Sequence, residues 1–430
     1  MRKAYTLIDN LLDLCCTKRA GTILAISFIA VFFILSLTRN YDYKSFESIL
    51  NATGDDWGIY AQHALDIKHN GMLMPSAISA YCSPAGFLYN YFIALCLVIF
   101  GEKSLPIFVV QHLMLGFSVA LVYWTFRDKM RGLTGILFLC VLFFFALKDV
   151  YKNYSPLLLS ENLALFTVAL FFFCFIKGFE KDNLFLQIMA AFLLGLSILT
   201  RPNIFVYGIA LMPLVALYYV KRGGAGYRNL LIFALALIAG SSFLGIRNYL
   251  FLKQFIFLPT NMSSIDGLRN FHPIPSSVDL SRVAGNLLYT KLHIDKLIVN
   301  YVEYIRQEPG LFFQFYFKKV LFCLGYLPSL LAGSYGPRLR WMAMWAGYFT
   351  YLFLHIRNRE KWEIWEVSVH LYIFCYYGSL VLTTTVHNYG FRMLIPAIFF
   401  VLVFAFMALD RLLSAVMPAF FGPDRPAYLH

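Results

Sequence analysis

The polar residues with chemical potential sit at the edges of long apolar runs, and the densest group is Thr53-Gly54-Asp55-Asp56-Trp57-Gly58-Ile59-Tyr60-Ala61-Gln62-His63. If a helix starts near Asp55, then Asp56, Tyr60 and His63 fall at i, i+4 and i+7 and share one face. A carboxylate so placed can take a proton from a hydroxyl as it attacks. The same acidic pair also suits a plain helix start, because Asp is a favoured cap and complements the helix dipole.

A second carboxylate, Glu161, lies in Leu159-Ser160-Glu161-Asn162-Leu163 at the head of an apolar run. A carboxylate near an intramembrane position is costly and usually faces a cavity or a partner, although a solvated helix start with Ser160 as cap is the simpler alternative. Cations collect at other run ends. Arg201 follows Leu199-Thr200, Arg247 and Asn248 close a later run, and His387, Asn388, Tyr389 and Arg392 follow another. Arginine matches phosphate oxygens with paired donors, so an anionic lipid headgroup is a natural partner. Snorkelling to ordinary phospholipid would use the same residues. A divalent cation would have to use His63, Asp66 and His69, whose i, i+3, i+6 spacing is poor for three ligands on one helix. No phosphate-binding loop, nucleophile elbow or dinucleotide fingerprint appears in a credible setting.

These residues are carried by a membrane framework. Of 430 residues, 60% are hydrophobic and 14% are charged. Soluble domains carry about 25% charged residues, so this chain lacks the polar material for a water-facing surface. Apolar runs of roughly 16 to 22 residues recur from Gly21 to Leu413, each near the length needed to cross a bilayer. They are continuous rather than alternating, so they must be helices with their amides satisfied internally. The net charge of +13 comes from Lys and Arg between the runs, as expected of cytoplasmic loops and headgroup contacts rather than of nucleic-acid binding. The cysteines are scattered without metal-ligand spacing, Cys82 is the only one placed in an outside loop, and no cleavable signal peptide is read at the start.

Charge placement predicts an all-α polytopic protein with about 10–12 transmembrane helices and a cytoplasmic N-terminus. The whole chain, 1–430, reads as a single transmembrane domain with no separate soluble domain. Its first outside loop spans about 39–104 and its second outside segment about 250–332. Parity requires the apolar stretch Pro84 to Phe100 to lie in the outer interface, since crossing there would put Arg127, Lys129 and Arg131 outside. Its aromatics Phe87, Tyr89, Tyr91 and Phe92 suit such a seat, and Leu311 to Leu331, interrupted by Lys318 and Lys319, reads as another interfacial helix. The candidate site residues then gather on the non-cytoplasmic face.

Together these pieces resemble the GT-C superfamily of polytopic lipid-linked-sugar transferases, which includes protein O-mannosyltransferases and the bacterial aminoarabinose transferases of lipid A. Asp56 to Tyr60 matches the family's early D-x-x-x-Y, and Ser83-Pro84-Ala85-Gly86-Phe87 is similar to its proline-bearing interfacial stretch. Glu161 looks like its second acid, and Leu199-Thr200-Arg201-Pro202 like a recurring helix end. Arg247-Asn248-Tyr249 followed by Pro259-Thr260-Asn261 is similar to R-N-Y…P-x-T-N, and Tyr389 to Pro396 resembles the closing R-Y-x-x-P with altered spacing. The chain departs from the pattern at Cys82-Ser83, where the family often has a lysine, and it lacks an appended outside domain.

The resemblance implies transfer of a hexose or pentose from a polyprenyl-phosphate donor to a lipid, glycan or protein acceptor hydroxyl, in a bacterial inner (plasma) membrane with the site facing the periplasm or outside. Asp56 would be the general base, with Asp55 or Glu161 orienting the acceptor or steadying charge on the sugar. Arg201, Arg247 and Arg392 would stabilise the leaving phosphate, with Tyr60, His63, Asn248 and His387 lining the substrate site. The rival from another class is a transporter or flippase for a lipid-linked or anionic substrate. That activity usually leaves a polar trail at the bilayer midplane, whereas these residues cluster at one face. A non-catalytic assembly subunit is a third reading, but it would not need Asp56 and Glu161 together.

Overall fold

The computed structural model describes residues 18–38, 46–50, 56–72, 87–151, 158, 160–253, 339–383 and 394–416, with scattered positions from 306 to 337. Among the described residues the apolar runs form helices. In chain order they are α1 (Lys18–Thr38), α2 (Phe46–Leu50), α3 (Asp56–Asn70), α4 (Phe87–Phe100), α5 (Ser104–Phe126), α6 (Gly132–Phe145) and α7 (Ser160–Glu180). They continue with α8 (Leu184–Thr200), α9 (Ile204–Val220), α10 (Gly224–Leu252), α11 (Leu339–Arg357), α12 (Ile364–Thr383) and α13 (Ile395–Val416). Among the described residues six helices are long and apolar enough to span a bilayer: α1, α5, α6 with its extension, α7, α10 and α13. The chain is a multi-pass integral membrane protein. α4, α8 and α9 are shorter apolar helices.

Local sequence explains where the helices turn. The Asn183 side chain accepts a hydrogen bond from the Leu186 amide at 3.2 Å and so caps α8. Pro202 cannot continue α8, so Arg201 leaves the helix in extended backbone. α4 stops at Gly101, whose φ of 74° suits a residue without Cβ, and Lys103 then closes a tight turn onto the Gly101 carbonyl at 2.8 Å. α6 widens in its final turns into a π-helical segment, Ala146–Tyr151.

Compact packing divides the chain into two units. The first comprises residues 1–260, 344–376 and 395–430, and the second comprises 261–343 and 377–394. In the second, Tyr326–Leu327 pairs antiparallel with Gly336–Pro337. In the first, α7 packs on α8 and α5, α8 packs on α10, and α5 packs on α1. Phe172 is central to an aromatic seam that joins α7 to Tyr207 of α9, Tyr372 of α12 and Phe400 of α13, with ring centroids 4.6–6.1 Å apart. Tyr207 and Ser368 close this seam with a 2.7 Å hydrogen bond between hydroxyls.

One end of the first unit is tied by ion pairs. Lys129, after α5, meets Glu180 of α7 at 2.7 Å and Glu363 before α12 at 3.5 Å, and Lys177 meets Asp128 at 3.4 Å. Arg411 of α13 meets Glu360 at 2.6 Å. The other end holds α3 and α4, and with them the candidate site.

α4 departs in one respect from the interfacial helix anticipated for it. Its 14 residues span about 21 Å, short of a bilayer's hydrocarbon core of about 30 Å. Phe87 and Tyr89, however, are fully buried, packed inward against the helices around them. The second anticipated interfacial helix, Leu311 to Leu331, lies largely outside the described residues.

Candidate functional site

The site is built on an apolar cluster that gathers residues from seven of the described helices. Tyr60, Ala61 and Ala64 of α3 pack with Phe87, Tyr89 and Ile93 of α4, joined by Leu163 of α7, Leu199 of α8 and Leu244 of α10, and by Phe46 and Ile49 of α2 and Ile107 and Phe108 of α5. Every one of these positions is buried. The polar residues that matter stand within a turn or two of this cluster, so apolar packing fixes where they meet.

α3 begins at Asp56. The side chain of Asp56 lies outside the described residues, as do Asp55, His387 and Arg392. One turn further, Tyr60 is 4% exposed and meets Tyr89 edge to face at a centroid distance of 5.1 Å. Tyr89 in turn donates its hydroxyl to the Gln111 side-chain carbonyl of α5. His63 lies on the same face of α3, with Nδ1 3.4 Å from the Asn90 amide nitrogen. Burial holds the His63 imidazole below its usual value; Asp66 acts in the opposite direction, and the Arg247 charge adds to the lowering. His63 therefore stands neutral near pH 7.

Glu161, in the first turn of α7, is 1% exposed and forms an ion pair with Arg201, which is 8% exposed at the end of α8. Tyr60 and Tyr376 of α12 lie within electrostatic reach of the same guanidinium. Of the two sequence readings of Glu161, a buried carboxylate facing a partner is the one observed. The arginine and the acid expected to meet different parts of a substrate meet each other.

Arg247 is almost wholly buried, 1% exposed, in the last turns of α10. Its guanidinium donates to the Asn248 side-chain oxygen at 2.9 Å and sits 6.0 Å from the Phe87 ring centroid. It also lies within electrostatic reach of His63 and Tyr91. The structure thus brings Tyr60, Glu161 and Arg201 into one group, and His63, Arg247 and Asn248 into another, beside the same apolar cluster.

Several participants escaped the sequence reading. Tyr376 lies in the apolar run Ile364 to Leu382 and looks there like any membrane aromatic. Asn90 and Gln111, both buried, orient His63 and Tyr89 from within apolar helices. The signal that could have found them is the cost of a buried amide, which demands a partner. Among the described residues no group of three His, Cys, Asp or Glu side chains is placed to hold a metal ion.

Residues 84–244 match the family model described as dolichyl-phosphate-mannose-protein mannosyltransferase. The match covers α4 through most of α10, including Glu161 and Arg201, and bears out the family resemblance read from the motifs; Asp56 and Arg247 fall outside it. The fold is similar to that of the archaeal oligosaccharyltransferase AglB from Archaeoglobus fulgidus, solved in complex with an inhibitory peptide and a dolichol-phosphate. That likeness has 12% identity, a TM-score of 0.50, and coverage of 94% of this chain and 53% of that one. ArnT from Cupriavidus metallidurans, solved bound to undecaprenyl phosphate, aligns at 13% identity with a TM-score of 0.49, over 92% of this chain and 61% of that one. The chain therefore spans between half and two thirds of the length of these two proteins. No curated protein matches it by sequence.

Proposed function

We propose, from the family match over residues 84–244, that this chain is a membrane glycosyltransferase that moves a sugar from a polyprenyl-phosphate donor to an acceptor hydroxyl. The observation that carries the reading is the gathering of a buried acid, two buried arginines and a neutral imidazole around the cluster from which α3 rises to Asp56. In this reading Asp56 is the general base. It takes the acceptor proton as the hydroxyl oxygen attacks the anomeric carbon, and the bond to the phosphate oxygen breaks with its electron pair going to the polyprenyl phosphate. A single displacement of this kind inverts the anomeric centre.

Charge on the departing phosphate rises as the bond breaks, so fixed cations that strengthen their contact at that moment lower the barrier. Arg247 suits this role, because its buried guanidinium is held in place by Asn248 and the Phe87 ring. The Glu161–Arg201 pair is better suited to positioning. It locks the start of α7 against the end of α8 and presents an ordered polar edge to Tyr60. Asp55, the residue before α3, would complete the site. The site would open on the non-cytoplasmic side, and a lipid, glycan or protein would supply the acceptor.

The test is turnover in proteoliposomes supplied with polyprenyl-phosphate hexose and pentose donors, reading release of free polyprenyl phosphate. Wild type should release it, and Asp56→Asn should slow release by roughly a hundred- to ten-thousand-fold. Donor that crosses the membrane intact, with no sugar transferred, would instead establish a transporter or flippase.

A further inference from the structure

α8 and α10 touch backbone to backbone at one point. A Cβ built on Gly195 of α8 would lie 2.6 Å from the Leu237 carbonyl oxygen and 2.8 Å from the Gly240 Cα of α10. One built on Gly240 would strike the Phe192 carbonyl and come within 3.1 Å of the Gly195 Cα. No side chain fits on either residue at this spacing, so the two glycines permit an approach that other residues would prevent.

The crossing lies just below the site. α9 returns the chain between α8 and α10, so both helices run the same way and carry their site residues beyond the same contact. Arg201 lies six residues past Gly195 and Arg247 seven past Gly240, which at about 1.5 Å per residue puts them roughly 9 and 10.5 Å along from the crossing. Arg247 and Leu244 share the face of α10 that carries Gly240, being i+7 and i+4 from it. Leu199, i+4 from Gly195, is buried with Leu244 in the cluster beneath the site.

We propose that the Gly195–Gly240 contact is a spacer that sets how far Arg247 stands from the Glu161–Arg201 pair, and thereby how tightly the site holds the phosphate of its donor. The inference rests on the reading of this end as a donor site, but the spacer itself can be measured without any ligand. These glycines touch no substrate; they are positioning residues. Any side chain at either one levers the two arginines apart. An added methyl needs roughly 1 Å more room, and a leucine roughly 2 Å, the spread of ordinary interhelical distances.

The experiment uses the full chain in nanodiscs. Spin labels on Asn203→Cys and Tyr249→Cys report the separation of the two helix ends, in backgrounds lacking the other cysteines. Gly240→Ala and Gly240→Leu should lengthen that distance in order. Binding of a C55 polyprenyl phosphate should weaken in the same order, by about tenfold or more for Gly240→Leu, and the donor KM should rise more than kcat falls. Gly347→Ala is the control for a merely structural effect. Its Cβ would crowd Ala405 at 2.8 Å where α11 crosses α13, away from the site residues. It should lower the melting temperature comparably and leave phosphate affinity within twofold. An unchanged label distance in Gly240→Leu overturns the spacer, and so does an affinity loss in Gly347→Ala as large as in Gly240→Ala. Failure of the donor-site reading looks different: Arg247→Ala and wild type would bind the polyprenyl phosphate equally.

Discussion

Replacing Glu161 with Gln removes the carboxylate that the buried Arg201 guanidinium pairs with. The side chains of the pair are 1% and 10% exposed, so water can do little to replace the lost partner. Removing one member of a buried ion pair typically costs about 3–5 kcal/mol, most of it from the stranded charge. Arg201→Gln takes the ion-pair partner from the buried carboxylate and should cost a similar amount. The double variant strands neither charge and should lose much less than the sum of the two, giving a coupling of about 2 kcal/mol or more. Unfolding by SDS titration in mixed micelles, read by tryptophan fluorescence, measures all corners of this cycle. A loss below about 1 kcal/mol for both single variants is the behaviour of a solvated surface pair and would refute the burial argument. Strictly additive losses would show that the two residues act separately.

Other outcomes follow from the same geometry. His63 is held below its ordinary pKa by burial, so the unfolded chain binds its proton more readily than the fold does. Stability should be flat above about pH 6.5 and decline as the pH falls below it, and His63→Gln should flatten that decline when melting is compared at pH 5.5 and 7.5. Glu102 bonds Lys68 at 2.5 Å in a half-exposed bridge between α3 and the turn after α4, so Glu102→Gln should change stability by no more than about 1 kcal/mol in the same titration. Arg247→Lys keeps the charge and loses the planar fork that holds Asn248, so binding of a polyprenyl phosphate, measured by native mass spectrometry, should fall by about tenfold.

The membrane framework was legible because continuous apolar runs admit only helices. Predicted runs such as Ile204 to Val220 and Leu184 to Leu199 correspond almost residue for residue to α9 and α8, where Asn183 and Pro202 mark the boundaries. The inward face of α4 was not legible. Phe87 and Tyr89 have the composition of interfacial anchors, and only the packing of α3, α7, α8 and α10 against them makes them core. The Glu161–Arg201 pair was hidden for a related reason. Each residue separately resembles a substrate ligand, and nothing along the chain shows that residues forty positions apart meet. Gly195 and Gly240 each stand four residues after an alanine, Ala191 and Ala236, a small-xxx-small spacing that marks a close helix contact, but which helices meet there emerges only from the crossing of α8 and α10.

The central claim is that the α3 end of this protein performs sugar transfer with Asp56 as the base. It is tested most directly by mass spectrometry of total lipids from host cells, comparing wild type with Asp56→Asn at equal protein level. The account predicts that a polyprenyl-phosphate sugar accumulates in the variant, with a mass that identifies the sugar class. An unchanged lipid pool, with the variant folded and complementing loss of the gene, would contradict it.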